Sequence, residues 1–182
     1  MGKGIVDELK KEFSLEDEWL AYQLRPETPK EGILLTTLFP GADLTQRYES
    51  LNRAGEPYGI HFAHLERVRN SQSALEAAEY AKDVGKFHEF HERVFHAYFT
   101  ELQDIGNVDL LAAWAQEIGM DAGSLLDALK TGMYKDRLEE AHRSAVANTI
   151  TAVPTFIIED SIKLVGAQPI SVFKQKLLSL EK

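Results

Sequence analysis

Val153-Pro154-Thr155-Phe156-Ile157-Ile158, then Glu159-Asp160-Ser161, then Ile162-Lys163-Leu164-Val165-Gly166, is the stretch on which the fold turns. Two runs rich in β-branched and aromatic residues, joined by a short polar link, predict a β-hairpin. Directly after it, residues 169–180 place Pro169 at a first helical position and set Ile170, Phe173, Leu177 and Leu180 on one face. Upstream the character differs entirely. Helical periodicity runs through residues 71–85, 86–102, 107 or 108–118, 122–131 and 134–147, with Gly119 and Gly132 as stops and Asp121 as a start signal.

Further out, Ile5, Val6, Leu9 and Phe13 recur at helical spacing through residues 4–13. Residues 18–24 (EWLAYQL) carry apolar side chains with little helical period and stop at Arg25-Pro26-Glu27-Thr28-Pro29, which reads as a strand buried on both faces. A loop through Gly32, Pro40 and Gly41 follows. A helix is then expected from Asp43 or Leu44 to Ala54, with Asp43 as its N-cap and Gly55 and Pro57 closing it, and residues 58–62 connect onward. The order is therefore α, β, a long helical block, β, β, α. A helix followed by a buried strand is half of a βαβ unit, so a first strand is expected to be missing from the sheet.

Composition bounds the function. The 182 residues are 44% hydrophobic and 27% charged, as in ordinary globular domains. A net charge of −9 argues against electrostatic capture of nucleic acid or of an anionic membrane, so neither is expected as a partner. No apolar run reaches the roughly 20 residues of a membrane span, and the amino end lacks a signal-like apolar stretch with a cleavage site, so a cytoplasmic location is expected. The chain contains no cysteine, which leaves these residues without a disulfide, a zinc-thiolate site or a cysteine nucleophile.

Val153-Pro154-Thr155-Phe156 before a hairpin, and Gly166-Ala167-Gln168-Pro169 opening the last helix, resemble the end of a DsbA-like thioredoxin-fold protein of the FrnE type. The resemblance continues through Asn70-Ser71, Ala74-Leu75-Glu76-Ala77-Ala78, Gly85-Lys86-Phe87, Phe90-His91 and Asp104-Ile105-Gly106, covering nearly the whole chain. It implies an α/β fold of the thioredoxin-like type with a large helical insertion. Residues 1–34 and 148–182 would form the thioredoxin-like part, without its N-terminal strand, and residues 35–147 the helical insertion domain. It further implies thiol–disulfide oxidoreductase activity on protein or peptide substrates, with no cofactor. In that family a strand ends in Cys-x-x-Cys shortly before Gly-Lys opens the first helix, which is how Gly2-Lys3 stands here. No position of this chain matches the cysteine pair, and no catalytic residue is assigned. The absence reads as truncation, as a start displaced past the motif, or as a form that has lost dithiol chemistry.

The resemblance implies a cis Pro154 facing the dithiol position, so Val153, Pro154 and Thr155 are the candidate substrate-binding residues. Exposed main-chain groups of Val153 would pair with an extended peptide; a trans proline that merely opens an edge strand is the structural alternative. The amino end of the first helix, with Lys3 beside it, retains an electropositive field that could hold an anion weakly. His88, Glu92 and His96 share a broad helical face, yet no fourth ligand is signalled, and no metal is expected. His61 and His64 read as surface histidines. Phe87, Phe90, Phe95, Tyr98, Phe99 and Trp114 read as core rather than groove, and Glu16-Asp17-Glu18 and Glu139-Glu140 as solvated faces.

Two alternatives differ in class. One is a glutathione-dependent isomerase or transferase of the related kappa-like group; the other is a non-catalytic peptide-binding or chaperone-like module. A missing central strand would expose unpaired backbone on residues 18–24 and 155–158, so self-association through swapping or a homodimer is expected.

Overall fold

The structure is a computed structural model that describes residues 1–180. Helix α1 spans Gly2–Leu9 and ends earlier than its apolar period, the chain continuing as a tight turn in which Phe13 N–H donates to the Leu9 carbonyl. After a long irregular stretch come β1 (Ile33–Leu34), α2 (Leu35–Leu38), α3 (Leu44–Gly55), a 3₁₀ turn (Glu56–Tyr58) and β2 (Arg67–Val68). The helical block follows as α4 (Gln72–Asp83), α5 (Phe87–Phe99), α6 (Val108–Glu117), α7 (Ala122–Thr131) and α8 (Lys135–Ala147). The hairpin of β3 (Thr155–Ile158) and β4 (Ile162–Val165) leads into α9 (Ile170–Leu180).

Local chemistry sets several of these boundaries. The side chains of Asp43, Asn107 and Asp121 accept hydrogen bonds from Gln46, Asp109 and Ser124 N–H, satisfying donors that a helix start leaves free. Gly132 closes α7 at φ +66°, a left-handed conformation that glycine adopts without a Cβ penalty. In the hairpin turn Ser161 N–H donates to the Ile158 carbonyl while Glu159 and Asp160 take positive φ, the geometry that matches the right-handed twist of its strands.

Three expectations need correction. Residues 18–24 form no strand: among the described residues none of their main-chain groups pairs with another main-chain group, and Leu20 and Leu24 are 58% and 50% exposed. A strand exists only through a neighbour, and none lies beside this segment among the described residues. The loop assigned near Gly32 instead holds α2 and a two-residue antiparallel ladder pairing Ile33 with Val68 and Leu34 with Arg67, too short to leave a period in the sequence. Pro169 stands immediately before α9 rather than within it.

The interior divides into two apolar clusters. The larger joins α4 to α7 around Ala77, Phe90, Leu111, Trp114 and Leu125, with Tyr134 at its margin. The smaller packs Ile5 and Leu9 of α1 against Leu164, Phe173 and Leu177, with Phe156 edge-on to Phe173 at 4.8 Å. Among the described residues no helix is long and apolar enough to cross a membrane.

Candidate functional site

The first turn of α1 lies directly on the hairpin entrance. A methyl group placed on Gly2 would sit 3.1 Å from Pro154 Cβ and 3.4 Å from Phe156 Cζ, so any side chain there would press on the hairpin entrance. Two residues along, about half a turn of helix, a methyl group on Gly4 would come within 2.7 Å of Tyr58, which covers α1 from the other side. The Val153-Pro154 peptide bond is cis. Val153 is half exposed, whereas Thr155 turns inward: its hydroxyl donates to the Ala152 carbonyl at 2.7 Å and its backbone joins the ladder opposite Val165.

α5 forms the third wall. His91 projects toward α1 among rings of Trp19 (5.0 Å between centroids), Phe87 (5.4 Å) and Phe95 (3.9 Å). Burial pushes the His91 imidazole down to about 4, with the Lys3 ammonium and His88 adding to the effect and Asp7 opposing it. It is therefore neutral at neutral pH. Lys3 donates to Asp7 at 2.7 Å and lies 3.6 Å from Glu92 across the junction; the Asp7 hydrogen bond holds the ammonium pKa above its ordinary value. Beside these groups, a recess of about 210 Å³ is lined by Lys3, Asp7, Lys10, Asp17, Trp19 and His88. Burial alone would raise the Asp17 carboxyl, but hydrogen bonds from Lys10 and Trp19 outweigh it and hold the group below the usual carboxylate range.

The histidines read as a prospective cluster disperse. His88 lines the recess, Glu92 faces Lys3, and His96 Nδ1 contacts Glu101 at 3.0 Å. No group of three or more carboxylates and histidines among the described residues is arranged to hold a metal ion. His64 stacks on Tyr48 at 4.6 Å, and the His61 carbonyl accepts from Thr100. The aromatic set splits: Phe90 and Trp114 are core, but Phe95 is 42% exposed beside His91. That junction, with Trp19 and His91 at its centre, was not anticipated as a unit. The repeat Phe87, His91, Phe95, with successive members four positions apart, is the signal that could have marked it as one helical stripe.

Comparison with known proteins agrees with this geometry. The model of the DSBA-like thioredoxin domain matches residues 8–178. The uncharacterized protein YwbO of Bacillus subtilis (strain 168) is 34% identical over 188 aligned positions, covering 100% of this chain and 90% of YwbO. Among solved structures, a probable DsbA oxidoreductase from Streptomyces coelicolor superimposes with a TM-score of 0.88 at 21% identity, covering 98% of this chain and 82% of its own. A 2-hydroxychromene-2-carboxylate isomerase does so with a TM-score of 0.76 at 17% identity, covering 97% and 87%. The α1 opening against a hairpin-entrance proline, overhung by a helical block, is thus found in a chain that belongs to the family of DSBA-like thioredoxin domains.

Proposed function

We propose that these residues are the substrate-holding part of a DsbA-like, FrnE-type thiol–disulfide oxidoreductase, binding an extended protein or peptide segment at Val153, Pro154 and Thr155. The observation that carries the reading is the seat of Gly2 on Pro154 beside exposed Val153, which brings a helix amino end and open main-chain groups to one place. With no cysteine among the 182 residues, they perform no dithiol exchange by themselves. The division into a thioredoxin-like part (1–34 and 148–182) and a helical insertion (35–147) belongs to this reading. It is supported by the two apolar clusters, although Tyr58 crosses to the α1 side. A cytoplasmic setting belongs to it as well, in keeping with a cysteine-free composition.

The test pairs two measurements on the purified chain. An insulin-reduction assay with dithiothreitol is expected to show no acceleration over the uncatalysed rate. Titration with S-carbamidomethylated insulin B chain, followed by amide NMR, is expected to move the resonances around Val153 and the first turn of α1. Accelerated insulin reduction, or a B chain that leaves those resonances unmoved, overturns the proposal. The second reading, a glutathione-dependent isomerase or transferase, draws on the fold shared with 2-hydroxychromene-2-carboxylate isomerase. Titration with reduced glutathione separates the two, because only that reading expects saturable shifts at the α1 amino end.

A further inference from the structure

The loop that leaves α8 and delivers Pro154 is tied down through alternate carbonyls. Lys163 Nζ donates to the Asn148 carbonyl, Tyr22 Oη to that of Ile150 at 3.2 Å, Thr155 Oγ1 to that of Ala152 at 2.7 Å, and Gly166 N–H to that of Pro154 at 2.7 Å. Between these ties, the N–H and C=O of Thr151 and of Val153 have no partner among the described residues. Burial follows the same alternation: Thr151 and Val153 are exposed, while Ala152 and Pro154 are partly covered. Two residues two positions apart, each with an unpartnered donor and acceptor, are what an added strand pairs with.

Three of the four ties come from the hairpin or the residue next to it and are local. Tyr22 is the exception, reaching across 128 positions of sequence from residues 18–24. Its ring stacks on His142 of α8, with centroids 6.0 Å apart and planes inclined by 8°. The phenol is thereby held between α8 and the loop that α8 feeds. A main-chain hydrogen bond of this kind fixes the peptide plane that links Ile150 to Thr151, and so the direction of the Thr151 N–H.

We propose that Tyr22 is a positioning residue for the peptide-binding edge, and that this edge extends upstream from Val153 to Thr151. Resting on the function proposed above, the inference narrows it: recognition runs through the main chain of an extended segment paired with Thr151 and Val153, and Tyr22 acts only through Ile150. The preference is therefore for chain conformation rather than for a particular side chain.

The experiment uses the whole chain with S-carbamidomethylated insulin B chain as probe. Tyr22→Phe keeps the ring on His142 and removes only the hydroxyl. The expected result is about fivefold weaker binding, the order of one neutral hydrogen bond, with a melting temperature no more than about 4 °C below the parent. In the parent complex the Thr151 and Val153 amides become protected from solvent exchange, and in Tyr22→Phe the Thr151 protection falls first. A Tyr22→Leu variant loses ring and hydroxyl together and is expected to weaken binding further. If the parent binds and Tyr22→Phe binds equally well with unchanged Thr151 protection, the positioning role is wrong while peptide binding stands. If peptide protects Val153 but never Thr151, the upstream extension is wrong. If the parent binds no B chain, both this inference and the function it rests on fail.

Discussion

The helical block from α4 to α8 and the region joining α1 to the hairpin and α9 are built on opposite logics. In the block every helix closes its own hydrogen bonds, and an apolar stripe needs only another stripe to bury it. Ala77, Leu111, Ala115 and Leu125 are fully buried there. The other region depends on neighbours: β3 pairs with β4 alone among the described residues, Ile157 stands exposed, and residues 18–24 join no strand. One part of the molecule is complete in itself, whereas the other, which holds the candidate site, keeps backbone available.

The contrast can be broken most forcefully in the cores. Phe90, 1% exposed in the larger cluster, is expected to cost about 3–5 kcal/mol on truncation to alanine, through lost burial and the cavity left behind. Phe173, equally buried in the smaller cluster, carries the same nominal loss. Urea unfolding followed by helical circular dichroism distinguishes them. If the block is self-sufficient, Phe90→Ala lowers the main transition, while Phe173→Ala leaves most of the helical signal unfolding at its original midpoint. Equal displacement of one shared transition by both variants would show that the two clusters unfold together.

Next in size is the junction between the regions, where His91 sits. Its folded-state pKa, about 4, lies below the ordinary value of 6.5, so between those values the unfolded chain binds more protons. The stability due to neutral His91 is complete above pH 6.5 and is lost as pH falls through the window toward 4. At pH 5 the loss amounts to about 2 kcal/mol relative to pH 7.5. Unfolding free energies at the two pH values measure it, and His91→Phe is expected to remove that share of the difference. An unchanged pH dependence in the variant would place the titrating group elsewhere.

An effect of the same order is expected on the far side of α1. Gly4→Ala drives a methyl group into Tyr58, and overpacking of this kind costs about 1–3 kcal/mol. Combining it with Tyr58→Leu is expected to recover part of the loss, which a thermal melt reads directly. Absence of recovery would mean that the glycine is kept for backbone reasons and not for the close approach.

How far the sequence disclosed this molecule follows the same division. The helices of the block were readable because caps such as Asp121 and breakers such as Gly132 act within a few residues of themselves. The hairpin was readable because its turn fixes its own partner. Residues 18–24 were misread because apolar β-formers announce only a willingness to pair, and pairing is settled by a strand elsewhere. The Tyr22 tie to Ile150 and the ring cluster about His91 were invisible for a related reason, since each joins positions far apart in sequence. Val153, Pro154 and Thr155 were picked out by resemblance, but nothing in their spacing foretold that Gly2 would rest on Pro154.

The smallest expected effect is the most pointed test of residues 18–24. A strand buried on both faces would lose about 2–3 kcal/mol for each leucine made polar, since that is the order of the transfer free energy of the side chain. Leu20 and Leu24 already lie half or more in water, so Leu20→Ser and Leu24→Ser are each expected to change unfolding stability by less than about 0.5 kcal/mol. Trp19 and Tyr22, between and beside them, hold the segment through the Lys82 contact to the Trp19 carbonyl and the bond to Ile150, and neither contact involves a leucine side chain. Stability losses of several kcal/mol from the serine variants would mean that in solution something covers these leucines, a second copy of the chain included. Sedimentation at several concentrations would then show whether the cover is intermolecular, because serine at an intermolecular contact shifts the oligomer distribution while serine in a monomer core does not.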